Sequence, residues 1–238
     1  MADMSNANFN LTYRKAVEPF KVLVYENPLG APSDVSSFRL EGKANVDFPN
    51  GKMRLSSALD PALGQAANYV YWCDAVLPSD VLIEWDFTPM TDSGLCIMFF
   101  SARNLNGGSV FDAAERNGMY NQYHTGDINA FHVSYYRIVP LLRDGERLRT
   151  CNLRKSRGFH MVAQGADPIP ELKLCKAPFR ISVLKHGPLV AFFIDEILSF
   201  SFYDDGISFG PLLEGGHMGF RQMSPMAAEY AKLSVLTI

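Results

Sequence analysis

No run of this sequence stays apolar for the ~20 residues that a membrane-spanning helix needs. Its start, MADMSNANFNLTYRK, has no charged segment followed by an apolar one. Neither a signal peptide nor a membrane partner is expected, and the expected location is the cytoplasm. Cysteine is scarce. Cys73, Cys96, Cys151 and Cys175 lie far apart with no CxxC pair, which argues against a zinc knuckle or a redox motif and makes them buried thiols in a reducing compartment. No metal or other cofactor is expected from this set. Net charge is also small: at −3 over 238 residues it gives no global reason to expect nucleic acid as a partner. There is no internal repeat, no low-complexity linker, and no pattern that would support a helix of three turns.

What is present is apolar sequence in short pieces. With 47% hydrophobic residues the chain can bury a sizeable core, and β-sandwiches of this length form single domains. One domain over 1–238 is expected, with 1–15 as a polar, irregular lead-in; a homo-oligomer stays open. Strands are expected at 20–25 (FKVLVY), at 38–48 and 52–56 as a hairpin turned by Pro49-Asn50-Gly51, and at 69–73 and 81–87. In 81–87, Val81, Ile83, Trp85 and Phe87 alternate with Glu84 and Asp86, the period of a sheet with one apolar side. Further strands are expected at 95–101, 132–137, 159–164, 179–185, 190–195, 198–202, 218–223 and 233–238, with a short helix at 111–116. Many short strands separated by turn residues predict an all-β, antiparallel β-sandwich.

Residues 111–164 concentrate the chemistry. They hold His124, His132 and His160, several tyrosines, and six basic residues between Arg143 and Arg157 against only Asp144 and Glu146. The segment 141–149 is charged enough to be a surface loop or an edge strand. Alternation over 132–137 puts His132, Ser134 and Tyr136 on one face and Arg137 on the other. Asp127 and Asn129 have the spacing of two oxygen ligands for a structural Ca²⁺, and equally that of a turn. Arg221 and Gln222 are neighbours on a strand, so at most one of them lines a given face.

Four segments, YWCDAVLPSDVLIEWDFTP, GMYNQYHTGDINAFHVSYYR, TCNLRKSRGFHMVAQGADPIP and GGHMGFRQMSPMAAEY, resemble the YesU-like family of bacterial proteins in the same order. The likeness runs from about residue 38 to the C-terminus. It implies a concanavalin A-like jelly roll and an association with the breakdown of pectin-type polysaccharides, rhamnogalacturonan in particular.

Three chemistries fit the polar residues. A retaining glycosidase of the jelly-roll glucanase type needs Glu-x-Asp-x-(x)-Glu. Glu84 and Asp86 resemble its first half, but Thr88 and Pro89 stand where the second Glu belongs. A lyase acting beside a uronate needs a cation on the carboxylate, a base for the adjacent C–H and an acid for the leaving oxygen. His132, His124 and Tyr136 are the catalytic candidates for that, with Tyr120, Gln122, Tyr123, Asn129, Arg154, His160, Arg221 and Gln222 as substrate-binding candidates. GMYNQ at 118–122 also resembles the GxYxQ strand of jelly-roll alginate lyases. The third chemistry is a binding module that holds sugar on aromatic platforms, drawn from Tyr120, Tyr123, Tyr135, Trp72 and Trp85. The expected partner in every case is an oligosaccharide, and the leading expectation is a lyase or hydrolase acting on a uronate-containing one.

Overall fold

The structure, a computed structural model, describes residues 11–140 and 147–238. Strands are numbered along the chain. The first sheet runs β14 (Ile197–Tyr203), β13 (Leu189–Ile194), β12 (Phe179–His186), β6 (Val81–Pro89), β16 (Ala227–Thr237), β4 (Met53–Ser57) and β3 (Ala44–Asp47), with β1 (Val22–Asn27) also paired to β16. The second runs β11 (His160–Ala166), β10 (Arg147–Ser156), β8 (Ile128–Tyr135), β7 (Leu95–Asn104), β15 (His217–Met223), β5 (Tyr69–Trp72) and β2 (Arg39–Glu41), with β9 (Ile138–Pro140) paired to β10. Every strand pairing is antiparallel, and the protein is an all-β two-sheet sandwich.

Alternation sets the layers. In β6 the side chains of Val81, Ile83, Trp85 and Phe87 are buried between the sheets, while Glu84, Asp86 and Thr88 face outward, as the period-2 pattern requires. Trp85 packs against Tyr135 and Phe220, and Phe87 against Tyr135, Tyr136 and Tyr230. All but the Phe87–Tyr230 contact, which lies within the first sheet, cross the sandwich and tie the two sheets together. A second apolar layer lies outside the second sheet, under the segment that carries a 3-10 turn at Val110–Asp112 and a short helix α2 (Asn121–His124). A third lies outside the first sheet, under helix α1 (Tyr13–Val17).

Several expectations need correction. The lead-in is helical from Tyr13. The stretch 38–48 is two strands in different sheets: Gly42 has φ of +90°, and a Cβ there would sit 2.7 Å from the Asn68 carbonyl oxygen, so the chain turns at the one residue that fits. Only β3 forms the hairpin with β4, around Asn50 at φ +56°. The expected helix at 111–116 shortens to the 3-10 turn. Part of the charged segment 141–149 lies outside the described residues, but from Arg147 the chain is a ten-residue strand between β8 and β11.

That strand was hidden by its basic residues. Leu153 and Cys151 point into the core, and Lys155 takes the next inward position because it has partners there. Its ammonium lies 2.6 Å from Asp204 and donates to the carbonyls of Gly210 and Pro211 at 2.9 and 2.8 Å. Both members of the pair are buried, so removing one leaves an uncompensated charge. Lys155→Met is expected to destabilise the protein by about 3–5 kcal/mol in urea unfolding, and Lys155→Met with Asp204→Leu to recover most of the loss. Equal stability of Lys155→Met and the wild type would contradict this role.

Candidate functional site

The outer face of the second sheet is built by register. Across β2, β5, β15, β7, β8 and β10, the row Glu41, Val70, Arg221, Ile97, Ser134 and Asn152 stands beside the row Arg39, Trp72, Gly219, Phe99, His132 and Arg154. Apolar side chains dominate one end, where Trp72, Phe99 and Tyr123 pack together. Toward the other end the face becomes cationic.

Tyr120 lies over that cationic end. Its ring centroid is 5.7 Å from His132, 4.9 Å from His124 and 4.7 Å from the Arg221 guanidinium carbon. Arg221 is fully buried. One of its nitrogens donates to the Gly118 carbonyl at 3.0 Å, and its Nε and Nη1 have no hydrogen-bond partner among the described residues. Burial lowers its pKa to about 10 despite the nearby tyrosines. His132 is 2% exposed, and neither ring nitrogen has a partner among the described residues. Burial, and then the positive charges of Arg154 and Arg221, hold it well below the ordinary histidine range; His124 is shifted down for the same reasons. Burial raises the Tyr120 phenol, opposed by Arg221, Arg154 and Arg137. The face therefore offers two neutral imidazoles, a protonated phenol and three arginines. No described carboxylate forms an ion pair with any of these three arginines.

A left-handed residue decides who belongs to this group. Tyr136 has φ of +50°, its backbone N–H donates to Asp167 at 2.5 Å, and its ring turns into the core against Phe87. Its hydroxyl donates to Asp92. Alternation therefore slips by one, and Arg137 comes out on the His132 side, where it donates to Thr150 at 3.4 Å. This reverses the faces that alternation gives: Tyr136 is a core residue and Arg137 stands on the His132 face.

Comparison with known proteins bears on the family. The family described as "Domain of unknown function (DUF1961)" matches residues 22–235. The chain belongs to the DUF1961 family. It is 41% identical over 214 residues to "Uncharacterized protein YesU" of Bacillus subtilis (strain 168), covering 89% of this chain and 94% of that protein. A crystal structure of a protein of unknown function with a galectin-like fold from Bacillus subtilis superposes with a TM-score of 0.83 at 39% identity, over 92% of this chain and 98% of that one. A Bacillus licheniformis beta-glucanase is similar with a TM-score of 0.51 at 11% identity, over 92% and 99%. At that identity the likeness shows the jelly-roll fold alone, one that serves both glycoside hydrolases and carbohydrate-binding modules.

The other candidates in this DUF1961 chain fall elsewhere or into supporting roles. Tyr123 is buried, and its hydroxyl donates to Glu41, which also pairs with Arg116 at 2.6 Å. Gln122 accepts from the Asn117 N–H, and Asn129 from the Arg157 N–H, so each ties a turn. Asp127 accepts from the Ala114 N–H, so neither half of the Asp127 and Asn129 pair is idle. Among the described residues no three His, Cys, Asp or Glu side chains converge as metal ligands. His160 lies on the opposite face of the β10–β11 hairpin from His132, against Phe209. Gln222 points into the core, its amide bridging the hydroxyls of Tyr69 and Tyr230. Trp72 and Trp85 are buried and offer no platform.

Glu84 and Asp86 sit on the outer face of the first sheet, away from the histidines. Arg180 contacts both, at 3.3 and 3.2 Å, Lys232 reaches Asp86 at 2.9 Å, and Tyr13 and Ser182 donate to Glu84 at 2.6 and 2.7 Å. The cross-strand neighbour of Thr88 is Glu229, a carboxylate that the local spacing could not reveal, and Arg54 holds it at 2.6 Å. These three carboxylates are matched by cations. At the Tyr120 end of the second sheet's outer face Arg221, Arg154 and Arg137 have no carboxylate partner among the described residues, and Phe159, which was not among the sequence candidates, packs on Arg154 there.

Because His132 has a depressed folded pKa, its neutral form stabilises the fold above about pH 6.5, and that contribution is lost as pH falls below it. In NMR titration its imidazole signals are expected to hold neutral-form positions through the ordinary histidine range. A midpoint near 6.5 would contradict the buried, cation-flanked site.

Proposed function

We propose that this chain is a carbohydrate-active protein that takes a uronate-containing oligosaccharide on the outer face of the second sheet and cleaves it by β-elimination. The observation that carries the reading is the buried Arg221, with two nitrogens unpartnered among the described residues, beside His132 with two more. An anion is the ligand that completes such a group, because a guanidinium removed from water is stable only when paired and hydrogen-bonded. The family resemblance makes fragments of rhamnogalacturonan the first substrates to try.

The chemistry follows from the protonation states. Arg221, helped by Arg154 and Arg137, neutralises the substrate carboxylate and so acidifies the C–H at the adjacent carbon. A neutral imidazole, His132 or His124, takes that proton. The electron pair forms the C4=C5 double bond, the C4–O bond breaks, and the Tyr120 phenol protonates the departing oxygen. Tyr120 covers His132 and Arg221, so the sugar displaces its ring on entry. The hydrolytic reading draws less support, since Glu84, Asp86 and Glu229 are each held by a cation.

Mass spectrometry of products from pectin-derived acidic oligosaccharides tests the reaction. Elimination gives fragments that sum to the substrate with no added water, one of them unsaturated. A sum one water heavier would overturn elimination and point to Glu84, Asp86 and Glu229. Bound but uncleaved oligosaccharide would make the chain a binding module. His132→Ala or His124→Ala is expected to abolish turnover with the fold intact, and full activity in both would show the site to be wrong. Affinity for the oligosaccharide is expected to fall steeply with salt; salt-insensitive binding would point to a neutral sugar.

A further inference from the structure

The hairpin joining β10 to β11 carries Phe159 at its tip, 47% exposed. A large aromatic left in water is ordinary when it stands alone, but this one is held in place beside the cationic group. The tip is tied from beneath: the Gly158 N–H donates to the His124 carbonyl at 2.7 Å, the Arg157 N–H to Asn129 at 3.1 Å, and the Arg157 Nε to the Gly126 carbonyl at 2.8 Å. None of these bonds involves the ring, so the ring is not what closes the turn. One side of it rests on the site. The Arg154 guanidinium carbon is 3.9 Å from the ring centroid, the His124 ring 4.4 Å, and the Tyr120 ring 5.6 Å. Met161, the cross-strand partner of Arg154, is also half exposed and extends the apolar surface along β11.

A pyranose ring has a face of C–H bonds that is apolar and slightly positive, and the face of a phenyl ring is negative, so the two stack. Arg154 stacks on the Phe159 ring at 3.9 Å, and with 47% of the residue exposed part of its surface stays open to a ligand. Phe159 packs on the His124 imidazole at 4.4 Å and is separated from His132 by Tyr120, which is 5.6 Å from Phe159 and 5.7 Å from His132.

We infer that Phe159 is a stacking platform for the sugar next to the uronate, so that the face takes a segment of at least two rings, the anionic one at Arg221 and its neighbour on Phe159. The inference rests on the uronate reading of this face and adds the length of the ligand to it. It also makes Phe159 a specificity-determining residue: it selects oligosaccharides over free uronic acids.

The test compares two probes, galacturonate and a tetrasaccharide of alternating galacturonate and rhamnose, by calorimetry on the full chain carrying His132→Asn, so that the tetrasaccharide stays intact. Adding Phe159→Ala is expected to weaken tetrasaccharide binding about tenfold or more, roughly 1.4 kcal/mol, and to leave galacturonate binding unchanged. Phe159→Trp is expected to keep the tetrasaccharide affinity. Equal loss for both probes would overturn the platform and leave Phe159 as a prop for Arg154. Unchanged tetrasaccharide affinity would overturn it outright. Failure of the parent chain to bind either probe would instead overturn the uronate reading, and the platform with it.

Discussion

A guanidinium taken wholly out of water costs several kcal/mol unless an anion and enough hydrogen bonds meet it. Arg221 meets the Gly118 carbonyl, the Gln65 side-chain oxygen at 3.5 Å and the faces of Tyr120 and Tyr123, and no described carboxylate. The properties of its neighbours follow from that charge. It helps to keep His132 and His124 neutral, and it opposes the effect of burial on the Tyr120 phenol. The same field leaves neutral imidazoles beside a phenol, the groups on which the proposed elimination relies.

The first sheet makes the contrast. Its outer face also carries many charges, and a hollow of about 480 Å³ is lined there by Asp86, Arg180, Lys232 and their neighbours. Glu84, Asp86 and Glu229 each have a cation within 3.3 Å, and Tyr13 from helix α1 adds a hydrogen bond to Glu84. The buried Lys155 and Asp204 satisfy one another in the same way. Charges that are already paired hold a fold together. A buried charge with open donors is the better sign of a ligand, and in this molecule it lies on the second sheet.

Much of this was readable before the structure. The alternation of Val81 to Phe87 identified a half-buried strand because one face meets the core and the other does not. Asn50 marked a turn because it tolerates positive φ. The cluster of His124, His132, Tyr120, Arg154 and Arg221 did assemble on one face, and the expectation that Arg221 and Gln222 would diverge follows directly from the pleat. What could not be read was non-local. Strand β10 was not among the expected strands because the anion that lets Lys155 point inward, Asp204, lies 49 residues away. The places of Tyr136 and Arg137 were exchanged because Asp167, 31 residues on, holds Tyr136 in a left-handed conformation and breaks the period. Glu229 stands beside Thr88 only through the pairing of β16 with β6. In each case a distant partner overrode a sound local rule.

The most direct test of this account is a crystal structure of the protein with a uronate-containing oligosaccharide bound, in a His132→Asn variant that leaves it uncleaved. The account predicts a sugar carboxylate hydrogen-bonded to Arg221 on the outer face of the second sheet, with the Tyr120 ring displaced. An oligosaccharide lying instead across Glu84, Asp86 and Glu229 on the first sheet, with Arg221 still under Tyr120, would contradict it.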